Sequence, residues 1–144
     1  MKQQKKLHIA PITSEFKTTL AYVAEGISAG FPSPADDFKE SRINLEEVLI
    51  KHPDATFYAR VRGNSMINAG LNNGDLLIID RSLEPQNNKI AVCFIDGEFT
   101  VKRLKINKGT ITLMPENPQY KPIVVTDAHE LYIWGIVTYV IKAV

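Results

Sequence analysis

Asp96-Gly97 stands between two strand-like runs, Lys89 to Ile95 and Glu98 to Lys105, and this arrangement restricts the fold more than any other stretch of the chain. Asp and Gly both tolerate the positive backbone angles of a tight hairpin turn, so the two runs are predicted to lie side by side and antiparallel. Further β signals surround them. Phe57, Ala59 and Val61 alternate with Thr56, Tyr58, Arg60 and Arg62, and Leu76-Leu77-Ile78-Ile79 follows the turn Asn72-Asn73-Gly74-Asp75 as a continuous apolar run. Thr110 to Met114, Ile123 to Val125 and the long Leu131 to Lys142 add strands, connected through Asn107 to Gly109 and Pro115 to Pro122. One short helix is predicted in Asn44-Leu45-Glu46-Glu47-Val48-Leu49-Ile50, with Asn44 as its cap, Glu46 and Glu47 at its positive end, and His52-Pro53 as its stop. The expectation is a mostly β domain over residues 43–144, folded over as a compact sheet or partial barrel.

Residues 1–42 read differently, as an N-terminal arm. Their apolar residues are scattered, Leu7 and Ile9 can form at most one short strand, and an arm this sparse must borrow a surface to be ordered. Within it, Ile27-Ser28-Ala29-Gly30-Phe31-Pro32-Ser33-Pro34 is extended in character, because Pro32 and Pro34 push Phe31 and Ser33 toward β or polyproline conformations. On its own residues Ser28-Ala29-Gly30 passes as a flexible linker.

Bulk composition excludes several classes. Seventeen Lys and Arg against sixteen Asp and Glu argue against a dedicated nucleic-acid coat, and Lys2, Lys5 and Lys6 read as a solvated tail. The single cysteine, Cys93, precludes an internal disulfide and leaves nothing with zinc-ligand spacing; it lies in an apolar run that suits a buried structural thiol. No stretch approaches the roughly 18 apolar residues of a membrane span. A cytoplasmic protein without cofactor or metal is the expectation.

Chemistry centres on Gly63-Asn64-Ser65-Met66. A serine at the end of a strand, after a glycine that lets another backbone approach, suits a nucleophile, although the same four residues also make an ordinary turn. His8, His52 and His129 carry no triad signature, and His52 reads as a solvated helix-end residue. Lysine is the other base used by serine nucleophiles. Lys102 is predicted on the second strand of the hairpin, on the face shared by Thr100 and Leu104, and points inward unless it joins Arg103 and Lys105 on a solvated face. An ordinary lysine titrates near ~10.4, so acting as a base near neutrality requires lowering it, which burial can do.

Taken in order, Gly63-Asn64-Ser65-Met66, Asn73-Gly74-Asp75 before an apolar strand, and Asp96-Gly97-Glu98 leading to Val101-Lys102-Arg103-Leu104 resemble the LexA/UmuD family of self-cleaving peptidases. Gly30-Phe31-Pro32-Ser33-Pro34-Ala35, Arg42-Ile43-Asn44-Leu45 and Trp134-Gly135-Ile136-Val137 resemble its UmuD branch. The resemblance implies a LexA/signal-peptidase-like folded-over sheet and a Ser-Lys dyad, with Ser65 as nucleophile and Lys102 as general base. It further implies backbone N–H groups of Ser65 and Met66 at the oxyanion, and a scissile Ala29-Gly30 bond in the chain's own arm. The partners it implies are a second copy of the chain, a RecA filament on single-stranded DNA that stimulates cleavage in the SOS response, and a UmuC-type translesion polymerase subunit. No helix-turn-helix segment is present to bind DNA by sequence, unlike LexA-type repressors. Two other readings are a β-rich dimerisation module without chemistry and a signal-peptidase-like enzyme acting on other proteins.

Overall fold

The computed structural model describes residues 9–12, 19–23, 26–32 and 40–144. The chain divides into two compact units, one made of Met1–Ile12 and His52–Val144 and the other of Thr13–Lys51. The basic residues Lys2, Lys5 and Lys6, the start of the expected first strand at Leu7, and Pro34-Ala35 lie outside the described residues.

The first unit is a single eight-stranded sheet, mostly antiparallel hairpins. Its strands are β1 (Ile9–Pro11), β4 (Thr56–Arg60), β5 (Leu76–Asp80), β6 (Ile90–Ile95), β7 (Glu98–Asn107), β8 (Thr110–Met114), β9 (Ile123–Val124) and β10 (Leu131–Ile141). They lie in the order β1-β4-β5-β10-β6-β7-β8-β9, every neighbouring pair antiparallel. The β6–β7 hairpin closes at Asp96 and Gly97 with φ of 48° and 83°, pairing Ile95 with Glu98 as the turn signal predicts. The last strand in sequence, β10, inserts at the centre of the sheet between β5 and β6.

Packing explains why β5 and β6 read as unbroken apolar runs rather than as alternations. One cluster gathers Ala59, Val61, Met66, Leu71, Leu77, Ile79, Val92 and Val101, and the other Ala91, Cys93, Ile95, Leu104, Leu113 and Ile136. Successive residues of β6 thus feed opposite clusters, Val92 one and Ala91 and Cys93 the other, so the strand is buried on both faces. An edge-to-face chain of rings, Phe57–Trp134 at 5.2 Å, Trp134–Phe99 at 6.2 Å and Phe99–Phe94 at 5.1 Å, runs across the sheet beside the first cluster.

The second unit carries β2 (Thr19–Val23), β3 (Glu40–Asn44) and the helix α1 (Leu45–Leu49). Asn44 caps α1 as predicted, its side-chain oxygen accepting from the Glu46 N–H at 2.9 Å. The pairing of β2 with β3 was not expected from the sequence, which offers there neither alternation nor a turn signal. Arg42 ties the pair together by donating to the Thr19 carbonyl at 2.8 Å and to its hydroxyl at 3.1 Å. Ala29 and Gly30 lie in the segment 26–32 of this unit, both solvent-exposed, with Ser28 Oγ donating to the Phe31 carbonyl.

Candidate active site

After β4 the chain keeps close to the start of β5: the Val61 N–H donates to the Asp75 carbonyl at 2.9 Å and the Gly74 N–H to the Val61 carbonyl at 2.8 Å. Gly63 then turns with φ of 87°, a conformation that favours glycine, and its N–H donates to Asn73 Oδ1 at 3.0 Å. Met66 plunges into the first cluster at 2% exposure, and its carbonyl accepts from both Ala69 and Leu71. Ser65 is therefore clamped between a fixed glycine turn and a buried anchor, so the turn is also a rigid mount for its hydroxyl.

Lys102 comes from β7. Strand alternation puts it on the face of Leu104, which is wholly buried, and Lys102 itself is 8% exposed. The inward orientation holds, and the solvated-face reading does not. Its Nζ lies 3.0 Å from Ser65 Oγ, 2.7 Å from Thr100 Oγ1 and 3.0 Å from the Val101 carbonyl. Ser65 and Lys102 both line a cleft of about 550 Å³ that also takes in Arg62, Leu71, Phe99 and Tyr120. Of the histidines, His52 is half exposed with Nδ1 2.6 Å from Asp80 Oδ2, and His129 Nδ1 accepts from the Thr126 N–H at 3.0 Å; neither lines the cleft. His8 lies outside the described residues.

Burial holds the Lys102 amine below the ordinary lysine range. Cys93 would oppose this only as a thiolate, and burial pushes its own thiol up to about 12, so it is neutral when Lys102 titrates. The sign of the linkage follows. An unfolded chain binds the lysine proton over a pH range in which the folded chain has released it, so stability rises with pH across that range, and below it the full penalty of the buried ammonium persists. Lys102→Met removes the penalty. Compared in a Ser65→Ala background by urea unfolding, the chain that keeps Lys102 should gain stability relative to its Lys102→Met counterpart between neutral pH and ~10.4. A difference that stays flat over that range would mean the ammonium is not penalised.

A second loop that the sequence marked only as a connection, Pro115 to Pro122, also belongs to the site. Glu116 N–H donates to the Ser65 carbonyl at 2.8 Å, and Asn117, 8% exposed, donates through Nδ2 to the Asn64 carbonyl at 2.8 Å. Glu116 Oε1 is also held 2.5 Å from Arg103 Nε on β7, which ties the serine turn to the strand that carries Lys102. The Asn117–Asn64 contact spans 53 residues of sequence, and the proline-bounded loop carries no local pattern that points to it.

The sequence profile of the Peptidase S24-like family matches residues 21–138. The chain is 41% identical to the SamA protein of Salmonella typhimurium, over 92% of its own length and 91% of that protein. It is 41% identical to the ImpA protein of Escherichia coli over 82% of this chain and 80% of the relative, and 42% identical to the LexA repressor of Erwinia tasmaniensis over 69% of this chain and 48% of the repressor.

Proposed function

Because the chain belongs to the Peptidase S24-like family, we propose that it is a self-cleaving serine peptidase with a Ser65–Lys102 dyad whose substrate is its own Ala29-Gly30 bond. The observation that carries this reading is the 3.0 Å approach of Ser65 Oγ to a buried lysine amine.

The hydrogen-bond stoichiometry of that amine fits a base. A neutral amine has two N–H groups and one lone pair; Thr100 Oγ1 and the Val101 carbonyl can accept the two, which leaves the lone pair to accept the Ser65 hydroxyl proton. Ser65 Oγ attacks the Ala29 carbonyl carbon as Lys102 takes the proton, and the backbone N–H groups of Ser65 and Met66 receive the developing oxyanion. The new ammonium returns the proton to the Gly30 nitrogen as the peptide bond breaks. Water, deprotonated by the amine, then releases Ala29 from Ser65. The products are residues 1–29 and 30–144. Small residues on both sides of the bond let the substrate backbone lie flat against the site, and Pro32 keeps the chain extended beyond it.

The likeness to the UmuD branch extends the proposal. The processed chain acts in the cytoplasm as a homodimer and as accessory subunit of a translesion polymerase, and RecA filaments on single-stranded DNA favour cleavage in the SOS response to DNA damage. Among the described residues no helix is long and apolar enough to cross a membrane. Cleavage waits on the arm, because a docked state populated only in part lowers the rate by its population.

Purified protein incubated at rising pH should convert to fragments 1–29 and 30–144 faster as Lys102 loses its proton. The fractional rate should not depend on protein concentration, as intramolecular or within-dimer cleavage requires. Intact chain after prolonged alkaline incubation, with and without RecA filaments, would instead favour a dimerisation module without chemistry.

A further inference from the structure

The loop after β8 grips the carbonyl ends of two successive peptide units in the serine turn. Asn117 Nδ2 holds the Asn64 carbonyl at 2.8 Å, and the Glu116 N–H holds the Ser65 carbonyl at 2.8 Å. The N–H ends of those same two units belong to Ser65 and Met66. Every peptide bond of the described residues is trans, so in each unit the N–H points away from the carbonyl. Fixing both carbonyls toward the loop therefore aims both N–H groups the other way, and among the described residues neither N–H has an acceptor within the protein.

We infer that Asn117 is a positioning residue for the oxyanion donors: its amide, at 2.8 Å the shorter of two bonds to the Asn64 carbonyl (the Ile67 N–H of the turn reaches it at 3.4 Å), holds the plane of the Asn64–Ser65 peptide and so the direction of the Ser65 N–H. The inference deepens the proposed function and rests on Ser65 being the nucleophile. Asn117 is suited to the role because its own orientation is fixed. Its Oδ1 accepts from the Gln119 N–H at 3.0 Å, its carbonyl accepts from the Tyr120 N–H at 3.1 Å, and the side chain is nearly buried. The preceding Glu116 carbonyl accepts from the Asn68 N–H at 2.8 Å, so the loop holds the turn on both sides of the serine. A directed donor is valuable here because a hydrogen bond aimed at developing charge needs no reorganisation when the charge appears.

Asn117→Asp tests this with almost no change of shape. The carboxylate keeps the acceptor for Gln119 but cannot donate to the Asn64 carbonyl. Asn117→Leu removes both and adds no charge. Two rates are measured on the full chain, well below each variant's melting temperature: self-cleavage, and labelling of Ser65 by a small fluorophosphonate. In the labelling reaction the serine oxygen bonds to phosphorus, fluoride leaves, Lys102 takes the proton, and negative charge develops on the phosphoryl oxygen where the carbonyl oxygen would sit. Both variants should label about a hundredfold more slowly at the alkaline plateau, with the pH midpoint of labelling unmoved in Asn117→Leu, because Lys102 stays buried. A merely structural role would lower the melting temperature and leave labelling of the folded protein at the original rate, which would overturn the inference. Labelling without self-cleavage in the unsubstituted chain would sink the self-cleavage reading while leaving Asn117 to be judged on the labelling rates. Absence of both would overturn both.

Discussion

Ser65→Ala and Lys102→Ala are each expected to slow self-cleavage by about 10⁴-fold or more, leaving the chain intact through an alkaline incubation that cuts the unsubstituted protein. The two losses should not add. A nucleophile without its base and a base without its nucleophile are equally idle, so the double variant should be no slower than either single one. Lys102→Arg separates two roles that alanine confounds. Arginine restores a cation near the serine but holds its proton at any accessible pH, so it cannot accept the one that Ser65 must lose. If Lys102 served only as a positive charge, Lys102→Arg would retain substantial cleavage and the dyad would be wrong. The measurement is the yield of residues 30–144 over time by mass spectrometry, with the urea midpoint of each variant showing that it is folded.

How much of this was legible before the structure depended on whether the deciding physics was local. Asp96-Gly97 announced its hairpin because a tight turn demands positive φ at adjacent residues, and the turn adopts 48° and 83°. Asn44 announced α1 because a cap is a short-range hydrogen bond, made here to residues two and three further on. The strands from β4 to β10 were visible because each buries a face, and the overall mostly β character followed from their number. Lys102 was not decidable in the same way. Its neighbours Arg103 and Lys105 are polar, and its amine also meets Ser65, 37 residues away in sequence, so the local pattern permitted burial without requiring it. The family resemblance, not periodicity, pointed to it. The β2–β3 pair was missed because β2 is largely exposed, Leu20 at 47% and Tyr22 at 44%, and a strand with no buried face leaves no alternation to read. Asn117 was missed for a third reason: a positioning contact through one side-chain amide leaves no pattern in a loop, however much the geometry depends on it.

Gly135→Ala is expected to destabilise the first unit by about 2–3 kcal/mol, a large effect for one methyl group on a strand. The cause is proximity rather than conformation, since Gly135 sits in β10 without a positive φ. A Cβ there would lie 2.6 Å from Ile79 Cγ2, 3.2 Å from Arg81 Cγ and 3.6 Å from the Asp80 carbonyl. At 3.2 Å Arg81 Cγ need give only a few tenths of an ångström, although its guanidinium is held by the Trp134 carbonyl, the Tyr132 hydroxyl and the Trp134 ring. Ile79 cannot yield: it is fully buried among Leu77, Val92 and Val101, and its Cγ2 is bonded directly to Cβ, so moving that methyl requires a rotamer change of a stiff, branched residue or a shift of β5 itself. β10 pairs with β5 on one side and β6 on the other, with its register against β6 slipping between Ile133 and Gly135, so the strand has little freedom to retreat. A second substitution makes the cause testable. Ile79→Leu keeps the volume but moves the branch one carbon outward, so no methyl remains at the clash. Gly135→Ala combined with Ile79→Leu should therefore cost at least ~1 kcal/mol less than the sum of the two single changes, read from urea midpoints with an unchanged m value. Simple additivity, or a Gly135→Ala cost below ~0.5 kcal/mol, would mean that the sheet relaxes around the extra methyl and that the close approach of β5 to β10 is not a constraint on the fold.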